Sequence, residues 1–217
     1  MNERDIIPQT AEHVRSLLAG DATGHDWFHI ERVRKTALAI AREEGADLFV
    51  VELAALLHDV ADWKFAEGDH TASPRAARRW LEALEVNPEI VGHIEEIIAG
   101  LSFKGAGVPT PMRTLEGQIV QDADRLDALG AIGIARTFAY GGHKGQPLHD
   151  PSLPAQSHAS FEAYKNNVGT SINHFYEKLL LLKDRMNTAT GRRLAEERHT
   201  YTEQFLEQFF AEWDGKR

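Results

Sequence analysis

Histidine and aspartate residues in three short segments of the chain have the types and spacing of a metal site. His29 lies on an apolar helical stripe, and the pair His58-Asp59 ends an apolar run. Asp124 and Asp127 follow in a third segment, three residues apart. Imidazole and carboxylate ligands together suit Mn²⁺, Mg²⁺, Fe²⁺, Co²⁺ or Ni²⁺ better than a closed structural zinc site. An open divalent ion of this kind activates a bound water and offsets the charge of a phosphate.

Each of these residues also has an interpretation without chemistry. A single inward-facing histidine is more often a satisfied core residue than a ligand. The sequence Leu-Leu-His-Asp can be a helix C-terminus whose aspartate caps the next turn. Asp122, Asp124 and Asp127 can form a solvated acidic face. Spacing alone leaves the two interpretations balanced, and it does not decide which aspartate would bind a metal.

Helices must position these side chains, because helix start and stop signals recur along the chain and no segment alternates like a strand. Gly45 is a typical helix stop, and Asp47 is a typical N-cap. Ser73-Pro74 and Asn87-Pro88 each predict an N-cap followed by proline at the first helical position. We therefore predict an all-α fold, with helices over about 8–19, 26–44, 47–59, 74–85, 88–99, 112–129, from near 131, 171–186 and 190–213.

Composition narrows the class of protein. The 217 residues are 42% hydrophobic and 26% charged, which is typical of a globular protein. We predict one domain over 1–217, with the helices of about 171–213 packed on its core. The protein is expected to be a monomer or a homodimer. A net charge of −9 argues against a nucleic-acid partner, and the absence of cysteine excludes a thiolate nucleophile. The chain shows no signal peptide and no apolar run of bilayer length, so we expect a soluble, cytoplasmic protein without a membrane partner.

The order of histidine, histidine-aspartate and aspartate resembles the HD superfamily of metal-dependent phosphohydrolases. It reads GHDWFHIERV (24–33), LAALLHDVAD (53–62) and DADRLDALGAIGIAR (122–136). Three further segments resemble one subgroup of it, the YpgQ/YedJ-like proteins: IIAGLSFKG (97–105), HFYEKLLLLKDRMNT (174–188) and GRRLAEERHTYTEQFL (191–206). The resemblance covers most of the chain and implies an HD-domain helical bundle.

The resemblance also implies a set of metal ligands: His29, His58, Asp59 and Asp124. The string Ala-Asp-Arg-Leu matches the segment that carries the last ligand in the superfamily, which selects Asp124 over its acidic neighbours. One divalent metal ion is implied, Mn²⁺ or Mg²⁺ first, with Fe²⁺, Co²⁺ or Ni²⁺ as alternatives. A second metal on His70 or His93 is the less favoured alternative.

The implied activity is hydrolysis of a phosphate ester or anhydride. Subgroup members split a nucleoside triphosphate, ribo or deoxy, into a monophosphate and pyrophosphate through a metal-bound water. An HD hydrolase of a nucleoside monophosphate, a cyclic nucleotide or a non-nucleotide phosphate is one alternative. A sensor or binding module that keeps the metal with little turnover is another.

Two residues near the ligands are candidates for catalytic roles. Asp62 follows Asp59 by about one helical turn, so it could act as base or orient a water. Lys64 could neutralise charge that develops on the phosphate. The plain alternatives are a surface carboxylate near a helix end and a solvated cation.

Four residues are candidates for substrate binding: His25, Lys104, Arg125 and Asp127. His25 could equally cap the helix that begins near Asp26, and each cation could be solvated. The loop 141–156 could cover a nucleotide as a lid or be a plain surface loop.

Overall fold

A computed structural model describes residues 3–19, 26–61, 71–101, 108–156 and 169–216. Within these residues the backbone forms nine α-helices, two 3₁₀ turns and no β-strand, which confirms the all-α prediction. The helices are α1 (Glu3–Leu17), α2 (Trp27–Glu44), α3 (Leu48–Leu57), α4 (Ala72–Ala83), α5 (Pro88–Gly100), α6 (Leu115–Asp127), α7 (Gly130–His143), α8 (Ser171–Glu177) and α9 (Ala189–Trp213).

The chain divides into two compact units. The first contains α1 to α5 and α6 as far as Ala123. The second contains the end of α6, from Asp124, and α7 to α9. A single domain over the whole chain remains a prediction.

Helix α3 packs against α1, α2 and α5 in the first unit. Local signals set the ends of α2 and α3. The side chain of Asp26 accepts from the His29 N–H, and that of Asp47 accepts from two N–H groups of α3. Gly45 ends α2 in the left-handed conformation, with φ of 78°, which a glycine adopts without strain. Arg34 on α2 donates through two nitrogens to Glu52 on α3, so an ion pair fixes one helix against the other.

Helix α5 begins as predicted, with Asn87 as its N-cap and Pro88 as its first residue. Helix α4 begins two residues earlier than predicted. Ser73 is therefore not an N-cap: it lies inside the first turn, and its hydroxyl accepts from the backbone N–H of Ala61 at 3.0 Å. Pro74 is tolerated there because the first N–H groups of a helix have no intrahelical partner.

The second unit has an aromatic cluster between α7, α8 and α9, with Phe175 fully buried. Phe138, Phe175 and Phe205 lie with ring centroids 5.8 to 6.0 Å apart. The predicted helix over 171–186 is wrong in its second half. Helix α8 ends at Glu177, and two 3₁₀ turns follow, which bury Leu179 and Leu182. Tertiary packing of this leucine run breaks the helix without a glycine or proline.

The predicted loop over 141–156 is shorter than expected, because its first three residues belong to α7. The loop proper is residues 144–156. The Ser171 N–H donates to the Pro147 carbonyl at 3.0 Å, and the Asn173 side chain donates to the Leu153 carbonyl at 2.8 Å. His149 contacts three aromatic rings of α9, those of Phe209, Phe210 and Trp213. These contacts hold residues 144–156 on the second unit's own helices.

Candidate metal centre

His29 is placed by the first turn of α2. The Asp26 carboxylate accepts from the His29 N–H at 2.9 Å, so the helix begins immediately before this histidine. From this turn the stripe of His29, Val33 and Ala37 faces the interior, and all three side chains are fully buried. The prediction that His29 points inward is confirmed.

His58 and Asp59 lie where α3 ends. Helix α3 is buried over Leu53–Leu57, and its last residue precedes His58 directly. The His58 Nδ1 lies 2.8 Å from the Ala55 carbonyl oxygen. A carbonyl only accepts, so Nδ1 donates, and the lone pair of the neutral ring is on Nε2. His58 thus lies at a helix C-terminus, bonds to the helix through one ring nitrogen and leaves the other directed at the cluster. Its role as a metal ligand stays a prediction.

The three side chains converge on one point. The Nε2 atoms of His29 and His58 are 3.2 Å apart, and the Asp59 Oδ2 lies 3.6 Å from each of them. These three residues form a cluster able to hold a metal ion among the described residues. A triangle of these sides has its centre about 2.0 Å from each corner, which is the usual bond length of a small divalent cation to nitrogen or oxygen.

Direct hydrogen bonding explains this arrangement less well. The two imidazoles alone could form a hydrogen bond at 3.2 Å, with His29 as donor. The Asp59 oxygen, however, lies equally far from both rings and beyond hydrogen-bond length. A shared cation accounts for all three distances, and a donor set of two buried nitrogens and one partly exposed oxygen fits a divalent metal.

Asp124 lies in the second unit, in the last turn of α6, and is half-buried. Its role as the fourth ligand stays a prediction from the resemblance. Arg125 is buried and donates to the Arg185 carbonyl. Asp127 is also buried, and its Oδ2 accepts from Arg136 at 2.8 Å. Both side chains thus have protein partners within the second unit.

Four predicted site residues lie outside the described residues: His25, Asp62, Lys64 and Lys104. His70, an alternative ligand, does as well. His93 lies in α5, where its Nε2 is 2.8 Å from the Thr114 hydroxyl and 3.9 Å from the Glu116 carboxylate. It does not belong to the cluster of His29, His58 and Asp59.

Two residues near the cluster were not found by sequence reasoning. The Ser73 hydroxyl accepts from the Ala61 N–H in the turn that follows His58 and Asp59, and only the tertiary structure reveals this contact. Phe28, beside His29, is 62% exposed. The segment GHDWFH contains this aromatic residue, but spacing did not show which way it faces.

Comparison with known proteins agrees with this centre. The family model described as the HD domain matches residues 27–129, which include all four predicted ligands. The chain is 40% identical over 210 residues to the uncharacterized protein YpgQ of Bacillus subtilis, covering 96% of this chain and 94% of the relative. The chain therefore belongs to the HD-domain superfamily of metal-dependent phosphohydrolases.

Solved structures place it more narrowly. A protein from Lactobacillus plantarum has a TM-score of 0.86 and 40% identity, covering 99% of both chains. An HD-superfamily hydrolase from Bacillus thuringiensis has a TM-score of 0.75 and 47% identity, covering 98% of this chain and 99% of that one. B. subtilis YpgQ in complex with ADP has a TM-score of 0.76 and 38% identity, covering 96% and 95%. Within the superfamily, the chain is a member of the YpgQ-like subgroup.

None of the helices in the described part of the chain is both long and apolar enough to cross a membrane.

Proposed function

We propose that this protein is a nucleotide pyrophosphohydrolase that releases pyrophosphate from ribo- or deoxynucleoside triphosphates. The observation that carries the proposal is the convergence of His29, His58 and Asp59 on one point. The crystal structure of YpgQ with ADP supports a nucleotide as the ligand. The cytoplasm is the proposed location, since nucleoside triphosphates are abundant there.

In this proposal His29, His58, Asp59 and Asp124 hold the metal. When bound, a divalent ion activates water and neutralises phosphate charge. Asp62 accepts the proton of the attacking water, or orients that water by a hydrogen bond. Attack of the water oxygen at the α-phosphorus forms the new P–O bond. The bond that breaks joins the α-phosphorus to the oxygen that bridges it to the β-phosphate. The leaving group is pyrophosphate.

The triphosphate needs cationic and polar partners, and the proposal assigns Lys64, Lys104, Arg125 and His25 to it. Charge-assisted hydrogen bonds to phosphate oxygens stabilise the developing negative charge. Arg125 is buried and donates to the Arg185 carbonyl, so its guanidinium is held in place by the protein. For Asp127, the ion pair with Arg136 favours a role in holding that arginine over direct contact with substrate.

The exposure of Phe28 supports the proposal that the substrate contains an aromatic base. Its side chain is 62% exposed, on the same helical turn as the buried ligand His29. An exposed phenylalanine is a surface on which a nucleobase stacks, and this contact is tolerant of base identity. We propose Phe28 as the stacking residue for the base.

The test is a panel of nucleotides assayed with Mn²⁺, Mg²⁺, Co²⁺ or Ni²⁺, with phosphate and pyrophosphate measured separately. The proposal expects pyrophosphate and a monophosphate from triphosphates. Single phosphate from nucleoside monophosphates, or opening of cyclic nucleotides, would replace it with a phosphomonoesterase or phosphodiesterase function. Metal binding without turnover of any nucleotide would identify a sensor module instead.

A further inference from the structure

Helix α4 begins without a side-chain cap, unlike its neighbours in the first unit. Its N-cap residue, Thr71, makes no capping hydrogen bond, whereas Asp26, Asp47 and Asn87 all cap their own helices. Ser73, a residue type well suited to capping, lies two positions further on. Its oxygen is bonded outside its own helix, and such a departure from local rules often marks a functional constraint.

The Ser73 oxygen is used by the turn that follows the metal ligands. The Ala61 N–H donates to Ser73 Oγ at 3.0 Å, and Ser73 is only 8% exposed. Within the same turn, the bond from the Val60 N–H to the Leu57 carbonyl is long, at 3.5 Å. The contact from Ser73 is therefore the better-formed of these two bonds.

Asp59 lies in this turn. Because α3 ends at Leu57, the Asp59 carboxylate is carried by backbone beyond the last helical residue. It must nevertheless keep its Oδ2 at 3.6 Å from both imidazoles. A metal ligand has to stay within about 0.2 Å of its bond length. A turn that carries such a ligand needs an anchor from elsewhere in the fold.

We propose that Ser73 is a positioning residue for Asp59, acting through its hydrogen bond to the Ala61 N–H. This role rests on the proposed metal site of His29, His58 and Asp59. Loss of the hydroxyl frees the turn, and the carboxylate then samples positions outside the coordination distance. Metal affinity falls for this reason, independently of which phosphate compound is the substrate.

The test compares metal affinity in Ser73→Ala, Ser73→Thr and Ser73→Val. Mn²⁺ binding to chelator-treated protein is measured by calorimetry well below the unfolding temperature, and the visible spectrum of the Co²⁺ form reports ligand geometry. We expect Ser73→Ala and Ser73→Val to bind Mn²⁺ about tenfold more weakly, with an altered Co²⁺ spectrum. Ser73→Thr matches valine in size but keeps the hydroxyl. It should have the Mn²⁺ affinity and the Co²⁺ spectrum of the wild type.

Asn87→Ala is the matched control, since it removes an ordinary helix cap in the same unit. It is expected to lower the unfolding temperature and leave the Mn²⁺ affinity unchanged. Unchanged affinity in both Ser73→Ala and Ser73→Val would overturn the positioning role. Equal Mn²⁺ binding by the wild type and Asp59→Ala would overturn the metal site itself. Failure to hydrolyse nucleotides affects neither result, because the readout is metal binding.

Discussion

The Nε2 atoms of His29 and His58 lie 3.2 Å apart in the protein interior, although 29 positions separate the two residues in the chain. His29 comes from the first turn of α2, and His58 from the end of α3. The Asp59 Oδ2 lies 3.6 Å from the Nε2 atom of each ring. Two imidazole nitrogens and a carboxylate oxygen this close together fit the coordination of a divalent cation.

The choice of Asp124 as fourth ligand predicts different effects for two aspartates on the same helix. Asp124→Asn should weaken Mn²⁺ binding at least tenfold and abolish hydrolysis, because the amide is a poorer ligand than the carboxylate. Asp122→Asn is the matched control: Asp122 is fully buried in α6, and the substitution keeps its shape. It should bind Mn²⁺ like the wild type.

Calorimetric titration with Mn²⁺ and a pyrophosphate-release assay on the same preparations decide this prediction. Hydrolysis at the wild-type rate in Asp124→Asn would contradict the ligand assignment. Loss of metal binding only in Asp122→Asn would mean that Asp122, and not Asp124, is the fourth ligand.

Phe28 is predicted to act on the base and not on the chemical step. Stacking of a base on an aromatic ring is worth about 1–3 kcal/mol, so Phe28→Leu should raise KM for a nucleoside triphosphate about tenfold with little change in kcat. Phe28→Tyr keeps the ring and should behave like the wild type. Inorganic tripolyphosphate, which has no base, serves as the control ligand. If Phe28→Leu weakened tripolyphosphate and nucleotide binding equally, Phe28 would have no role in stacking.

The fold was predictable from sequence wherever a signal is local. Gly45, Asp47 and Asn87-Pro88 set helix ends through their own backbone and side-chain preferences, and the structure has those ends as predicted. The errors occur where distant residues decide. The Ser73 hydroxyl accepts from the Ala61 N–H instead of capping α4. Packing of the leucine run interrupts the helix after Glu177.

The site was predictable in part for the same reason. The helical stripe showed that His29 faces inward, and the apolar run before His58 showed that this residue is buried. Whether the two rings meet depends on the packing of α2 on α3, which spacing does not encode. The selection of Asp124 came from family resemblance, since periodicity alone treated Asp122 and Asp127 equally.

Gly133 is predicted to be essential for the close approach of α7 to the end of α6. A Cβ built on Gly133 would lie far inside van der Waals contact of the Ala128 carbonyl oxygen. Gly133→Ala should therefore lower the free energy of unfolding by about 1–3 kcal/mol. Gly142, on the same helix, has no atom within 4 Å of a built Cβ, so Gly142→Ala should raise it by about 0.5 kcal/mol.

Urea denaturation of both variants measures this difference. Equal stability of Gly133→Ala and Gly142→Ala would show that α7 shifts to accept the methyl group.

His13 is predicted to make stability depend on pH. Its ring stacks on Trp80 with centroids 3.7 Å apart, and burial lowers the pKa of His13 below its usual value of 6.5. The unfolded chain then binds the proton more readily than the folded chain. The contribution of His13 to the free energy of unfolding is therefore present above pH 6.5 and is lost as the pH falls through the lowered pKa of the folded state. His13→Phe keeps the stack without the titration.

Urea denaturation of the chelated protein at pH 7 and pH 5 tests this effect. The loss of unfolding free energy between the two pH values should be smaller in His13→Phe than in the wild type. An equal loss in the two proteins would assign the pH dependence to other groups.

The central claim is that His29, His58 and Asp59 hold a divalent metal, and a Mn²⁺ titration of chelator-treated protein by calorimetry tests it most directly. His58→Gln removes one ring of the cluster, and His93→Gln removes a histidine that bonds to Thr114 instead. We expect one Mn²⁺ per chain in the wild type and in His93→Gln, and loss of binding in His58→Gln. Wild-type affinity and stoichiometry in His58→Gln would contradict a metal site at this cluster.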